Sequence, residues 1–444
     1  MGQSVFETVR DLIDARTAKV GVIGLGYVGL PLAAAAARAG FVTLGFDVDA
    51  AKPPLLNAGK SYIDAVGDEE LAGLVKAGRF EATTEFARLA ECDVVVICVP
   101  TPLTKHREPD LSYIEVTGRT IAATLRPGQV VVLESTTYPG TTTQVLKPIL
   151  ERSGMMGGRD FFIGFSPERE DPGNAHFDTV TIPKVVAGDG EQATALVSAF
   201  YGAVVKQVVP VSSPSVAEAV KITENIFRAV NIALVNELKV IYDAMGIDVW
   251  EVIDAAKTKP FCYMPFYPGP GLGGHCIPID PFYLTWKARE HEVATRFIEL
   301  AGEINVSMPK YVVARLAEAL DRQGGVALSR ARVLIIGLAY KKNVSDVRES
   351  PSFKLVELLR ARGAEVVFHD PHVPEVPRMR EHPEMMGETS LPLTAEAVAA
   401  ADVVLISTDH DAVDYALIAE HARLIIDTRN VMARKGLAGA VVKA

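Results

Sequence analysis

The part of the sequence best equipped for chemistry is segment 268–281, where one cysteine and one aspartate stand among four glycines and four prolines. Because proline removes backbone donors and glycine is conformationally free, the segment is predicted to be a loop. A thiol on a tight, glycine-lined loop is accessible and can approach a carbonyl group closely, as covalent catalysis requires. Cys276 is therefore a candidate nucleophile, although most free cysteines are small buried apolar side chains.

A second group of residues is typical of dinucleotide binding. A predicted strand at 19–23 runs into the segment Gly-Leu-Gly-Tyr-Val-Gly, and a predicted helix and a second strand that ends in Asp47 follow. In this order the glycines make the turn, admit the pyrophosphate and let the helix pack on the strand, and the acid accepts from a ribose hydroxyl. The pattern predicts NAD binding and disfavours the 2′-phosphate of NADP. The predicted cofactor-binding residues here are Gly24, Gly26, Tyr27, Val28, Gly29 and Asp47.

Two threonines follow the next predicted strands. Thr101 comes after residues 93–99, and Thr136 comes after residues 129–133. Ligands of open α/β sheets bind beyond the carboxyl ends of the strands, so both hydroxyls are candidates for contact with cofactor or substrate. The alternative role of a threonine at such a place is to cap a helix.

A charged loop bounded by prolines, residues 166–173, follows the strand predicted at 161–165. Its place after the fifth strand predicts a substrate lid, in which Glu168 and Arg169 point inward. The alternative is a solvated turn.

A long helix is predicted from Ser215, because apolar residues recur at three- and four-residue intervals and no glycine follows until Gly246. Such a helix between domains usually forms a domain or subunit interface. Lys221 and Asn225 stand one turn apart on it, and the pattern leaves open whether they form an exposed edge or the polar corner of a site.

The carboxyl-terminal part repeats the strand–helix alternation of the first part. Two helices precede it, the second predicted to be interrupted near Pro309, and a strand is then predicted at 331–336. The turn after that strand contains only one glycine, Gly337, but it is followed by Lys341, and Arg429 follows the last strand. Cationic side chains at strand ends suit a second diphosphate ligand that is not NAD.

Length and periodicity together predict the architecture. A chain of 444 residues is too long for one core. We predict an α/β protein with two Rossmann-like doubly wound parallel-sheet domains joined by a central long-helix domain. The predicted boundaries are 1–212, 213–325 and 326–444.

Composition excludes several classes of protein. The formal net charge of -10 argues against a nucleic-acid partner. The four cysteines have neither zinc spacing nor the density of a disulfide framework, so we expect no metal and a cytoplasmic location. No apolar run reaches the length of a membrane span, so no membrane partner is expected.

These motifs, in this order, resemble one family. The glycine pattern, the Lys-x-x-x-Asn helix, the Gly-Gly-x-Cys-x-x-x-Asp loop and the basic second α/β domain are similar to those of the nucleotide-sugar 6-dehydrogenases, the UDP-glucose/GDP-mannose dehydrogenase family. Segments 98–105, 166–169 and 268–284 look like the bacterial UDP-N-acetylglucosamine branch. The resemblance implies at least a homodimer, a UDP-sugar substrate, and a role in surface polysaccharide synthesis.

The resemblance also implies a reaction, a four-electron oxidation of the sugar C6 alcohol with two NAD⁺. Cys276 would form a thiohemiacetal and then a thioester, which water hydrolyses. Lys221 would stabilise the oxyanion, Asn225 would hold the sugar, and Asp280 would orient a water or Lys221. Thr136 would position that water, and Glu168 would bind substrate and assist hydrolysis. The implied substrate-binding residues are Glu168, Arg169, Lys221, Asn225, Lys259, Gly273, Lys341 and Arg429, and Arg348 would reach the cofactor or a neighbouring segment.

The sequence departs from the family pattern in two places. Family members often supply an arginine from a neighbouring subunit to meet the sugar, and Lys259 stands in that region here. Pro53 and Pro54 follow the ribose acid where a helix normally begins, and they are predicted to delay that helix.

Other functions stay open at this point. The sugar could be glucose or N-acetylmannosamine, because pocket width is not visible in a sequence. A two-electron β-hydroxyacid dehydrogenase would share the NAD domain and the Lys-x-x-x-Asn helix, but it needs neither the cysteine nor the cationic domain. A non-catalytic nucleotide-sugar binder would not need Cys276, Lys221 and Asp280 together.

Overall fold

The structure, a computed structural model, describes most of the chain, namely residues 4–63, 65–104, 108–169, 179–274, 277, 279–379 and 382–444. Cys276, on which the predicted covalent chemistry depends, lies outside the described residues, as does the second half of the predicted lid, residues 170–173. The chain divides into two compact units. The first comprises Met1–Glu224 and Phe282–Val293, and the second comprises Asn225–Pro281 and Ala294–Ala444.

The first unit is organised by an eight-stranded sheet in the order β3-β2-β1-β4-β5-β6-β7-β8. All neighbouring strands are parallel except β6 and β7, which are antiparallel. The first six strands follow the dinucleotide-binding order 3-2-1-4-5-6, which confirms the predicted Rossmann-like domain. The strands are β1 (Lys19–Ile23), β2 (Val42–Phe46), β3 (Phe80–Thr83), β4 (Val94–Ile97), β5 (Val130–Leu133), β6 (Phe162–Phe165), β7 (Lys184–Gly188) and β8 (Val208–Pro210).

The second unit contains a five-stranded sheet, all parallel, in the order β10-β9-β11-β12-β13. Counted within the unit this is the order 2-1-3-4-5, the other common doubly wound arrangement. The prediction of a second Rossmann-like domain is therefore confirmed. The strands are β9 (Arg332–Ile336), β10 (Glu365–His369), β11 (Val403–Ile406), β12 (Ile425–Asp427) and β13 (Val441–Lys443).

Fifteen α-helices lie within the described part of the chain. In order they are α1 (Val5–Asp14), α2 (Gly29–Arg38), α3 (Lys52–Asn57), α4 (Asp68–Lys76), α5 (Ser112–Ala122), α6 (Lys147–Leu150), α7 (Glu191–Val204), α8 (Pro214–Met245), α9 (Val249–Ala256), α10 (Asp280–Arg289), α11 (Arg296–Ala319), α12 (Pro351–Arg360), α13 (Ala395–Ala399), α14 (Tyr415–His421) and α15 (Val431–Arg434). No described helix has the length and apolar character needed to cross a bilayer.

The central strands are buried on both faces. In β4, Val94 and Val96 face one cluster of core side chains, and Val95 and Ile97 face another. Strands covered on both sides must be apolar at every position, which is why these runs were recognisable in the sequence. The long helix predicted from Ser215 is α8, a single helix of 32 residues.

Two expectations about proline were wrong. Helix α11 continues through Pro309, because the neighbouring turns bury an apolar face that includes Met308 and Val312 and outweighs one lost backbone hydrogen bond. Helix α3 begins at Lys52, with Pro53 and Pro54 in its first turn. Proline is tolerated there because the first N–H groups of a helix have no partner within it.

Two glycines of the turn after β1 allow a test of this packing. A Cβ on Gly29 would stand 1.8 Å from the carbonyl oxygen of Gly24, whereas a Cβ on Gly26 would have nothing within 4 Å. Gly29→Ala should therefore lower the free energy of unfolding by about 2–4 kcal/mol, although alanine normally favours helix. Gly26→Ala, the control, should change it by less than about 0.5 kcal/mol. Denaturant unfolding of both variants checks this, and equal stability of Gly29→Ala and wild type would contradict it.

Candidate functional site

The turn between β1 and α2 is held by main-chain bonds and by one acid. The N–H of Gly24, at a φ of +91°, donates to the carbonyl of Phe46 at 2.8 Å. Asp47 follows Phe46, and one of its carboxylate oxygens accepts the N–H of Leu25 at 3.0 Å. The acid predicted from the sequence is therefore fixed beside the glycine turn.

Two residues beside this turn, Lys52 and Tyr62, were not predicted from the sequence. The amine of Lys52 lies 2.7 Å from the carboxylate of Asp47 and 5.7 Å from the centre of the Tyr62 ring. The Tyr62 hydroxyl donates to the carbonyl of Leu25. The available signal for Lys52 was a basic residue five positions after the acid. Tyr62 lies in the segment between α3 and α4, and no feature of the sequence links it to the turn.

The residues of this turn fit a dinucleotide. Gly26 leaves open space above the turn, and Gly29 brings the start of α2 against the turn, where a side chain would collide with Gly24. Open space at a helix amino terminus suits a pyrophosphate, because unpaired N–H groups and the helix dipole attract anions. Tyr27 is 39% exposed on the same turn, so it is accessible to a ligand.

The two threonines at strand ends differ in exposure. Thr101 is buried, and its carbonyl accepts a hydrogen bond from the hydroxyl of Tyr283. Thr136 is half-buried in the loop that follows β5. Both remain predicted ligand contacts.

The loop after β6 is joined to α8 by two ion pairs. Lys221 donates to Glu168 at 3.0 Å, and both side chains are buried. Arg169 donates to both carboxylate oxygens of Glu224, at 3.2 Å and 2.5 Å, and to the carbonyl of Pro183. The sequence left the burial of Lys221 open, and the structure places it inside. Arg169 anchors its loop to α8, and its role in substrate binding stays a prediction.

In the second unit, Asn225 donates to the carboxylate of Asp280 at 2.5 Å. Asp280, 1% exposed, is the first residue of α10 and stands four positions after Cys276. An amide that donates to a carboxylate leaves its own oxygen as an acceptor. The structure therefore brings together two of the residues predicted to act in the reaction.

The glycine-rich segment before Cys276 packs closely on the segment that follows β9. A Cβ on Gly273 would stand 2.7 Å from the Cβ of Tyr340, and the N–H of Gly274 donates to the carbonyl of Arg348 at 3.1 Å. Only glycines allow this approach. The segment is thereby fixed to the basic turn that contains Lys341.

Arg429 presents its guanidinium to the same segment. Its Nε donates to the carbonyl of Ser407 at 2.8 Å, and a Cβ on Gly269 would stand 2.6 Å from its Nη1. Burial lowers the pKa of Arg429. Among the described residues, no hydrogen bond reaches its two terminal nitrogens, so they are available to an anionic ligand.

Two predicted contacts lie at the surface. Arg348 is paired with Asp346, 2.6 Å away, and its side chain is 43% exposed. Lys259 is exposed, with its amine 5.1 Å from the centre of the Phe261 ring. Their roles in cofactor and substrate binding stay predictions.

The turn after β9 is held by an acid–histidine pair that was not predicted from the sequence. Asp370, which follows β10, accepts the N–H groups of Leu338 and Ala339 at 2.6 Å and 2.9 Å. The Nε2 of His410 lies 3.1 Å from the same oxygen. Burial alone would raise the pKa of Asp370, but His410 and the main-chain donors lower it to about 2. The acid is therefore ionised and occupied by the protein.

Three family models match the chain. They describe the UDP-glucose/GDP-mannose dehydrogenase family: its NAD binding domain matches residues 18–205, its central domain matches 215–307 and its UDP binding domain matches 334–434. These matches confirm NAD as the cofactor and the three-domain architecture. They do not test the predicted boundaries, which stay predictions.

Known proteins of this kind are similar over most of their length. The chain is 34% identical to UDP-N-acetyl-D-mannosamine dehydrogenase of Pyrococcus horikoshii over 420 residues, 93% of this chain and 96% of that protein. It is 38% identical to UDP-N-acetyl-D-glucosamine 6-dehydrogenase of Pseudomonas aeruginosa over 366 residues, 82% of this chain and 85% of that protein. A solved structure of the UDP-D-ManNAc dehydrogenase from Pyrococcus horikoshii superposes with a TM-score of 0.86 at 33% identity, covering 96% of this chain and 98% of that one. The chain therefore belongs to the UDP-glucose/GDP-mannose dehydrogenase family and is an NAD-dependent nucleotide-sugar dehydrogenase.

Proposed function

We propose that the protein oxidises the C6 hydroxyl of a UDP-N-acetylhexosamine to the carboxylate, with UDP-N-acetylglucosamine as the favoured substrate. The observation that carries this proposal is the buried pair of Lys221 and Glu168, a cation that burial holds in place beside a carboxylate. The motif likeness to the N-acetylglucosamine branch, and the 38% identity to a relative of that name, support the choice of sugar.

Cys276 supplies the covalent step. NAD⁺, two molecules for each sugar, would supply the hydride acceptor for the two oxidations when bound. The first oxidation gives the C6 aldehyde, and the Cys276 thiolate adds to its carbonyl carbon to form a thiohemiacetal. The second converts the thiohemiacetal into a thioester. Attack of water on the thioester carbon then releases the carboxylate and regenerates the thiolate.

The side chains of α8 support these steps. Lys221 stabilises the negative charge that develops on the substrate oxygen, because its ammonium is already desolvated and oriented. Asn225 holds the sugar and the same oxygen through its amide. Lys221 and Asn225 stand four residues apart in α8, the spacing that places two side chains on one face of a helix.

Water activation involves the residues that pair with these two. Asp280, held by Asn225, orients the attacking water or Lys221. Thr136 positions the water from its loop, and Glu168 contacts the sugar and assists the hydrolysis. A carboxylate that takes a proton from water must be within hydrogen-bond reach of that water in the complex.

The UDP group is bound by the second unit. Arg429 offers two terminal nitrogens to the diphosphate, and Lys341 adds a second cation. Gly273 keeps the main chain close to the sugar. Two cations against the diphosphate account for nucleotide binding in a chain whose net charge is negative.

We also propose that the protein forms at least a homodimer through α8. Phe227, Leu234 and Ile241 are each 45–50% exposed and stand seven residues apart on this helix. That spacing lines one face of a helix with exposed apolar side chains, which a second copy of the same helix can cover. Lys259 would then approach the sugar from the neighbouring subunit.

The function is tested by counting NADH. Steady-state assays with UDP-N-acetylglucosamine, UDP-N-acetylmannosamine, UDP-glucose and GDP-mannose should show the highest kcat/KM for the first, with two NADH formed per sugar. One NADH per sugar would favour a two-electron dehydrogenase, and none would favour a binder.

Cys276→Ser should lower kcat on the order of 10³-fold or more. The matched control, Cys262→Ser at an exposed cysteine, should keep the wild-type rate.

The cofactor turn gives a separate prediction. A methyl group on Gly26 enters the space that the structure leaves open, so it excludes the pyrophosphate without disturbing the fold. Gly26→Ala should raise the Kd for NAD⁺ about tenfold or more. Calorimetric titration measures this, and an unchanged Kd would contradict the assignment of Gly26.

The proposed dimer can be tested by light scattering after gel filtration. Wild type should elute at twice the chain mass or more, and Leu234→Asp should shift it toward the monomer, because a carboxylate would be desolvated in the interface. Val116→Asp serves as control, since Val116 is 55% exposed and belongs to α5, which is not part of the proposed interface. A monomeric wild type would contradict the proposal.

A further inference from the structure

The loop that carries Thr136 is fixed at its beginning by the sheet. The N–H groups of Glu134 and Ser135 both donate to the carbonyl of Ile97, at 2.9 Å and 3.2 Å. The hydroxyl of Ser135 donates to the carbonyl of Val99 at 2.7 Å. The first residues after β5 therefore continue the strand and need no further support.

The far end of this loop is held by one side chain of α8. Gly140 donates its N–H to Oε2 of Glu218 at 2.6 Å. Thr142 donates its N–H and its hydroxyl to Oε1 of Glu218, at 2.8 Å and 2.7 Å. Glu218 is fully buried, so the carboxylate has three protein donors and no contact with water. Burial raises the pKa of Glu218, and the three donors oppose that rise.

Glu218 stands three residues before Lys221 in α8. Residues at this spacing lie on the same face of a helix. One face of one rigid helix therefore holds the loop of Thr136 through Glu218 and carries the amine of Lys221.

The loop has a second support that is independent of Glu218. The ring of Tyr138 packs against Trp286, with centroids 5.0 Å apart, and Lys287 lies 5.1 Å from the same ring. Loss of the Glu218 contacts is therefore expected to shift the loop without unfolding the domain.

We propose that Glu218 is a positioning residue of the dehydrogenase reaction, which sets the distance between Thr136 and Lys221 by clamping the end of the loop to α8. This inference rests on the proposed roles of Thr136 and Lys221. Glu218 does not touch the reacting atoms. It acts through the main chain of Gly140 and Thr142.

Glu218→Gln tests the clamp with the smallest change of shape. Glutamine offers one acceptor oxygen where glutamate offers two, so at least one main-chain N–H loses its partner. We expect kcat with UDP-N-acetylglucosamine to fall about 10- to 100-fold with little change in KM. Glu69→Gln, the same substitution at an exposed position of α4, should keep the wild-type kcat. An unchanged kcat in Glu218→Gln would overturn the inference.

A double-mutant cycle separates positioning from general damage. If Glu218 acts through Thr136, then Thr136→Ala and Glu218→Gln should not be additive, and the double variant should lie within about threefold of the poorer single variant. If the loss of kcat in the double variant equals the product of the two single losses, the two residues act separately, and the inference is overturned.

Amide hydrogen exchange tests the clamp without reference to activity. Exchange in a peptide covering residues 136–142 should be faster in Glu218→Gln than in wild type, while a peptide covering β4 stays unchanged. Equal rates would overturn the inference. If wild type forms no NADH with any nucleotide sugar, the proposed function fails, and the exchange comparison still shows whether Glu218 holds the loop.

Discussion

The structure depends on one constraint, the burial of polar side chains along a single face of α8. Its members follow one another at helical spacing and are each 6% exposed or less, namely Glu218, Lys221, Asn225, Asn236 and Lys239. A buried charge or amide is costly unless a partner meets it, so each position dictates what must pack there. Each has a partner within its own unit. The first four are met by residues outside α8, whereas Lys239 pairs with Asp243 of α8 itself. The helix therefore fixes the positions of the segments that bond to it, such as the loop that ends at Gly140 and the loop that carries Glu168.

The two sheets share one turn geometry. In the first unit, Asp47 after β2 accepts the N–H of Leu25, the second residue after β1. In the second unit, Asp370 after β10 accepts the N–H of Leu338, the second residue after β9. In the first unit the space beside the acid is open at Gly26. Each acid also has a basic partner, the amine of Lys52 at Asp47 and the imidazole of His410 at Asp370. The same backbone geometry thus suits a dinucleotide in the first unit, whereas in the second we propose that cationic side chains such as Arg429 bind the other nucleotide.

What could be predicted from the sequence was local in origin. Strands buried on both faces are apolar at every position, so β1 was placed at its observed bounds and β4 was placed within two residues. Pairs set by tertiary contact were not visible: His410 lies 40 positions from Asp370, and Glu218 lies 76 from Thr142. The burial of Lys221 could not be decided either, because an exposed edge and a buried corner have the same spacing. The interruption predicted at Pro309 was wrong because the prediction considered only the local loss of a hydrogen bond. The buried residues before and after Pro309 sustain α11 through it.

The loop after β6 shows how charge order can set register. Consecutive loop residues of opposite sign, Glu168 and Arg169, meet α8 residues of opposite sign, Lys221 and Glu224. A slip of one residue would place Arg169 against Lys221, and like charges that are partly desolvated repel strongly. The two pairs therefore specify one alignment of the loop, even though the more exposed pair, Arg169 with Glu224, adds little stability by itself. Because Lys221 is one of these four charges, the alignment that keeps the loop in place also fixes the amine in the site.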